Sequence, residues 1–252
     1  NEVYASGEDL KISTDSLPVL KRGDGRNITG PRVLEQKQPG LYTVSWHPVG
    51  GQPDLSVLCA LSDAIQSMEG VELRLAPDET AYVINLTAAE AERVLDITEN
   101  NTAKTEFEAS VSCIGAAVCQ IGVRDSQSLL RACVEAVQKA GLPADALPKI
   151  HISGCPSSCG SHQAGSIGLV GHSKRVDGKM EPAFKLFVNG DSEEPGAHLG
   201  IEKGVLLETV IPEFFAALGK RIAAADSTFD VWYPTHAEEF DTLAAEYAEK
   251  TQ

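Results

Sequence analysis

Four of the six cysteines in this 252-residue chain fall in two close pairs, and no other feature limits its fold so strongly. The first pair is Cys113-Ile-Gly-Ala-Ala-Val-Cys119, a C-x5-C. The second is Gly154-Cys155-Pro-Ser-Ser-Cys159-Gly160, a C-x3-C. Cys59 and Cys133 stand alone on the apolar faces of predicted helices, so both are expected in the core. A chain this long needs no disulfide scaffold, and paired thiols suggest a metal or cluster site in a reducing, cytoplasmic compartment. Zinc sites mostly use C-x2-C or C-x4-C, because a tight turn must aim two thiolates at one ion. Five intervening residues suit that poorly, whereas an iron–sulfur cubane tolerates wider spacing. Small residues (Gly115, Ala116, Ala117, Gly154, Ser157, Ser158 and Gly160) let the backbone approach a bulky group and turn amides toward sulfur. A structural zinc remains the alternative.

Thirty-six Asp and Glu against 21 Lys and Arg leave a net charge of −15. That excludes a nucleic-acid partner, whose phosphates demand clustered positive charge. No apolar run approaches the ~20 residues that span a bilayer, so no membrane partner is expected. The start, Asn1-Glu2-Val3, has no initiator Met and no apolar signal segment, and the chain is expected to be a piece of a longer protein.

Residues 1–32 are rich in Gly and Pro and are read as a linker or wrapping arm. Leu41 to Trp46 has strand composition, and Leu55, Leu58, Leu61, Ile65 and Met68 have helical spacing. Val71, Leu73 and Leu75 alternate with polar residues, predicting a half-buried strand, and Ala81 to Leu86 predicts another. Thr87 and Glu90 form a capping box opening a helix to about Ile97. Glu99 to Thr102 is the expected domain boundary. Beyond it come a helix from Ser126 to Gly141, strands at 149–153, 166–170 and 183–188, and an Asn189-Gly190 turn. A helix over 210–222 tolerates Pro212 in its first turn. The chain should close on a solvated acidic helix within 231–252.

C-x5-C followed by G-C-P-x-x-C-G resembles the signature of the sulfite and nitrite reductases that couple sirohaem to a [4Fe–4S] cluster. The likeness extends through SCIGAAVCQIG at 112–122, HISGCPSSCGSH at 151–162 and SIGLVG at 166–171, and covers roughly residues 32 to 225. It implies an α+β fold: a ferredoxin-like half-domain at 33–100, then a mixed α/β sirohaem–iron–sulfur domain at 101–230. It implies that Cys113, Cys119, Cys155 and Cys159 hold the cluster, with Cys159 also the axial ligand of the sirohaem iron. The resemblance also matches Arg74 to a position near sirohaem carboxylates, with a solvated strand face as the alternative reading. Ser157 stands where many members carry Asn, which alters the hydrogen bonding beside the cofactor.

The implied reaction is six-electron reduction of sulfite to sulfide or nitrite to ammonia, with a donor such as ferredoxin or a reductase subunit. In that family the arrangement occurs twice, and substrate-clamping Arg and Lys residues come from the N-terminal copy. The chain resembles the C-terminal half, so its partner would be the N-terminal half of the same protein or a separate subunit. The family also includes small single-copy sulfite reductases. The rival is a non-catalytic module whose cysteines hold a cluster or zinc for electron relay or structure. His151 and His162 flank the second pair and are expected to be structural. The basic stretch His172, Lys174, Arg175 and Lys179 is read as a solvated hairpin loop. Asn27, Asn85 and Asn100 begin N-x-S/T triplets that are chance matches in a cytoplasmic chain.

Overall fold

The computed structural model describes residues 21–250 apart from Glu194. Residues 1–20 of the expected N-terminal arm lie outside the described residues. Two sheets, each with its own apolar core, make an α+β fold.

The first sheet has the order β1-β2-β4-β3, all antiparallel: β1 (Val33–Glu35), β2 (Tyr42–Trp46), β3 (Glu72–Leu75) and β4 (Ala81–Leu86). Helix α1 (Leu55–Gln66) joins β2 to β3, and α2 (Ala88–Thr98) follows β4. The capping box at the start of α2 is complete. Thr87 Oγ1 accepts from the Glu90 amide at 3.3 Å, and Glu90 Oε2 accepts from the Thr87 amide at 2.8 Å. Val44, Trp46, Leu61, Val83, Leu86 and Val94 fill the core between helices and sheet.

Two expectations fail here, and one strand is unannounced. β1 is short and exposed, and no alternation announces it. β3 forms, but all four of its residues are exposed, with Leu75 at 82%. It is an edge strand, and α2 packs chiefly on β2 and β4. Cys59 lies exposed on α1, because the helix buries its face through Leu61 and Ala64 instead. Cys133 is buried as expected.

The second sheet has the order β5-β6-β7-β8-β9. β5 (Val111–Ser112), β6 (Ile150–Ser153) and β7 (Ile167–Val176) are parallel. β8 (Lys179–Val188) and β9 (Ile201–Leu207) then run antiparallel. Helix α3 (Ser126–Ala140) carries the chain from β5 to β6 and ends at Gly141, whose φ of 64° makes the left-handed cap. Helix α4 (Ile211–Ala224) packs on α3, with Pro212 in its first turn.

The β7–β8 hairpin is longer than expected. Its turn is Asp177-Gly178, both at positive φ (48° and 83°), and the basic stretch forms its outer half. Asn189-Gly190 is not a hairpin turn. Its amides continue the ladder to Ser166 and Gly165 before a loop leads to β9, which the pattern did not announce.

The C-terminal helix α5 (Phe229–Glu249) begins earlier than expected and is not merely solvated. It buries Phe229, Trp232, Tyr233, Phe240, Leu243 and Tyr247 against α4 and β9, with Phe214 edge-on to Phe240 and Tyr247. Pro234 and a non-helical His236 kink it, which hides the apolar stripe from a uniform helical period.

Two substitutions test these assignments by urea denaturation. Thr87→Ala is expected to cost ~1 kcal/mol through the lost cap. Phe240→Ala is expected to cost ~3–5 kcal/mol, as a core position does and a solvated helix face does not.

Candidate functional site

Both cysteine pairs lie at the carboxyl ends of parallel strands, where sheets of this kind offer a crevice to ligands. Cys113 directly follows β5, and Cys155 comes two residues after β6. The strands pair in register, Val111 with His151 and Ser112 with Ile152, so their outgoing loops meet.

Gly154 joins the loops. Its carbonyl accepts from the amides of Val123 (3.1 Å) and Arg124 (2.9 Å), which close the first loop. Its own amide donates to Cys113 Sγ at 3.1 Å. A Cβ on Gly154 would stand 2.6 Å from the Arg124 carbonyl, so only glycine permits the approach. Gly160 closes the second loop under the same constraint: a Cβ there would meet the Ile152 carbonyl at 2.2 Å.

Inside the first loop, the amides of Val118 and Cys119 both fold back to the Gly115 carbonyl, and Gly122 donates to Cys119. The first turn of α3 lies against this loop. Ser126 Oγ is 3.2 Å from Cys113 Sγ and donates to the Cys113 carbonyl at 2.7 Å. A helix N-terminus favours negative charge beside it, as a thiolate ligand set would supply.

All four cysteines are free thiols. Cys155 is buried, Cys113 and Cys119 are half-buried, and Cys159 is exposed. Ser158 takes a positive φ of 59° beside Cys159, which turns the loop outward. Ser157 is exposed in the same loop. Ile114, Val118 and Ile121 expose apolar side chains on the first loop, the last at 70%. Among the described residues, no three His, Cys, Asp or Glu side chains are gathered as a single ion would require. The donor set and the amide aimed at Cys113 suit a cluster, in which each thiolate meets a separate iron.

Arg74 is not brought to this site by any contact. It sits on exposed β3, paired with Glu72 at 3.0 Å. His151 and His162 take structural places: His151 Nδ1 bonds the Gly160 carbonyl at 2.9 Å, and His162 Nδ1 lies 3.2 Å from Ser158 Oγ. Burial lowers the His162 pKa to about 4. Arg124 spans the loop and β7, donating to the Val123 and His172 carbonyls and to Ser173 Oγ.

The sequence reading missed two residues that hold the base of Cys113. Glu79, on the turn between β3 and β4, accepts from the Ser112 amide at 2.9 Å. Gln127 donates to the carbonyls of Ser112 and Gly50, both at 2.8 Å. Burial, reinforced by neighbouring Asp78, raises the Glu79 pKa to about 7 against the pull of the Ser112 amide and Lys149. Neither residue belongs to a motif. A carboxylate in a turn is ordinarily solvated, so no local signal could have found it.

No family model matches the chain. It is 31% identical over 193 residues to the ferredoxin–nitrite reductase of Synechococcus elongatus, covering 73% of this chain and 36% of that protein. It is 28% identical over 234 residues to the chloroplastic ferredoxin–nitrite reductase of Arabidopsis thaliana, covering 87% of this chain and 38% of that protein. The chain therefore spans little more than a third of the length of these relatives. Its fold is similar to that of the Mycobacterium tuberculosis NirA protein, with a TM-score of 0.60 at 18% identity over 76% of this chain and 37% of that one. The sequence relatives support the nitrite and sulfite reductase family, a class of oxidoreductase, and the structural likeness shows the fold.

The Glu79 shift fixes a pH dependence. A carboxyl whose folded pKa exceeds its unfolded value binds more protons when folded, so stability falls as pH rises from about 4.5 through about 7. Glu79→Gln removes this dependence. Urea denaturation at pH 5 and pH 8 should show the wild-type difference shrink by about 2 kcal/mol in the variant, allowing for partial solvent screening.

Proposed function

We propose that this chain is the cofactor-holding, C-terminal portion of a nitrite reductase that draws its electrons from a ferredoxin. The observation that carries the reading is the meeting of the C-x5-C and C-x3-C loops at Gly154, whose amide donates to Cys113 Sγ. The names of the sequence relatives favour nitrite over sulfite as substrate and a ferredoxin as donor.

Cys113, Cys119, Cys155 and Cys159 would hold a [4Fe–4S] cluster. Cys159, exposed where Cys155 is buried, would also hold the iron of a sirohaem. Bound there, the two groups would supply electron storage and a Lewis-acidic iron for the six-electron reduction of nitrite to ammonia.

The protein's own part is positional. The Gly154 amide and Ser126 place hydrogen bonds at Cys113. Gly160 and Ser158 set the turn that presents Cys159. Arg124 spends its donors on loop and strand carbonyls and on Ser173, so it braces the site and does not clamp substrate. Substrate-clamping cations would then come from the rest of the protein, an N-terminal half or a partner subunit. The localisation in keeping with free thiols and a cluster is a reducing compartment such as the cytoplasm. Among the described residues no helix is long and apolar enough to cross a membrane.

The test is an absorption spectrum of the anaerobically purified full-length protein, with iron and zinc quantified on the same sample. About four to five irons per chain with a Soret band are expected for cluster plus sirohaem. Zinc, or iron-free protein after anaerobic reconstitution, would overturn the reading. Cys159→Ser should abolish the Soret-linked spectrum and weaken cluster retention, because a neutral hydroxyl is a poor iron ligand. An unchanged spectrum in that variant would remove Cys159 from the ligand set.

A further inference from the structure

Glu79 combines features that seldom occur together without a purpose. It is a non-glycine residue at a φ of 67°, in a turn closed by its own amide on the Ala76 carbonyl at 3.2 Å. Its carboxyl group is directed inward. Oε1 accepts from the Ser112 amide, while Oε2 is buried with no partner. Gly51, at a φ of 66°, leaves the room: a Cβ there would stand 3.1 Å from the Glu79 Cβ.

Gln127 completes the arrangement from α3. It is 4% exposed, and its Nε2 donates to the carbonyls of Gly50, Ser112 and Cys113 at 2.8, 2.8 and 3.4 Å. Its Oε1 is buried without a donor. The backbone entering Cys113 is thus held on every side. The Ser112 amide goes to Glu79, the Ser112 carbonyl to Gln127, the Cys113 amide to Ile152, and the Cys113 carbonyl to Ser126 and Gln127. One of these grips, Glu79, comes from the β3–β4 turn of the first sheet, and Gln127 is itself anchored to Gly50 in the turn that follows β2.

We infer that Glu79 is a positioning residue for Cys113: from the turn of the first sheet it fixes, together with Gln127, the backbone that carries this thiol. The inference rests on the proposed cluster reading for its consequence, but its geometry does not. Outer partners that orient a metal ligand typically change affinity 10–100-fold when removed.

The experiment uses the full-length protein reconstituted with ferrous iron and sulfide without air. Glu79→Ala and Glu79→Asp, which cannot reach the Ser112 amide, should lose iron to a chelator about tenfold faster than wild type. Glu79→Gln keeps an oxygen for that amide and should stay within about twofold of wild type. In the apo-protein, hydrogen exchange at the Ser112 amide should accelerate at least tenfold in Glu79→Asp and remain slow in Glu79→Gln. Far-UV circular dichroism establishes that each variant is folded, and Glu79→Asp stands in if the alanine variant is not. Unchanged iron release and exchange in Glu79→Asp would overturn the inference, as would a glutamine variant no better than alanine. If wild type binds no iron, the cluster reading fails, and the exchange measurement alone decides the role of Glu79.

Discussion

The cysteine site depends on one residue. Gly154 offers its carbonyl to two amides of the first loop and its amide to a thiol of that loop, so one residue ties C-x5-C to C-x3-C. The contact needs a residue without a side chain, and it needs β5 and β6 to end side by side. Parallel pairing of those strands in turn needs a crossover, which α3 supplies. Because α3 begins where the first loop ends, its N-terminal turn falls against Cys113. Strand register, helix placement and sulfur environment are therefore one constraint seen at three scales.

The first sheet takes part in the same arrangement. Trp46 Nε1 donates to the Asn101 carbonyl at 2.6 Å, and the His47 amide makes a second tie by donating to Thr102 Oγ1 at 3.3 Å. Below them, Lys149, two residues before His151, meets Asp78 at 3.6 Å. The turn holding Asp78 and Glu79 is thus tied to β5 at Ser112 and to Lys149, the residue before β6. A carboxylate with a pKa raised by burial is tolerated there because its amide partner partly offsets the cost of removing it from water.

What was legible in the sequence was local. The cysteine loops, the capping box of α2, and α3 with its Gly141 cap announce themselves because their causes lie within a few residues. What was not legible depends on a distant neighbour. Leu73 and Leu75 alternate like a half-buried strand, yet nothing packs over that edge. Cys59 shares a helix with buried Leu61 and Ala64 but is itself exposed. The apolar stripe of α5 is broken in phase by the kink at His236, so its acidic residues dominate the pattern although Phe240 and Leu243 are wholly interior. Glu79 is the extreme case. Its backbone conformation, burial and partner all come from segments remote in sequence, and its composition suggests only a solvated turn.

Charge sets a further condition on the proposed reaction. Nitrite is an anion, and its reduction consumes protons, so stabilising the charge that develops requires donors aimed at the substrate in a site that excludes water. The chain carries a net charge of −15. The cation nearest the cysteine loops by its contacts, Arg124, is committed to backbone carbonyls and a serine. Meanwhile the first loop exposes Ile114, Val118 and Ile121, and the second exposes Cys159. On the proposed function these facts belong together. The chain would hold the cluster's sulfur ligands in a glycine-lined cradle, and the positive charge that nitrite demands would arrive on the segment that covers those apolar side chains. Separating the two duties spares each its conflict, since cations packed among the four thiolates would compete with iron for them.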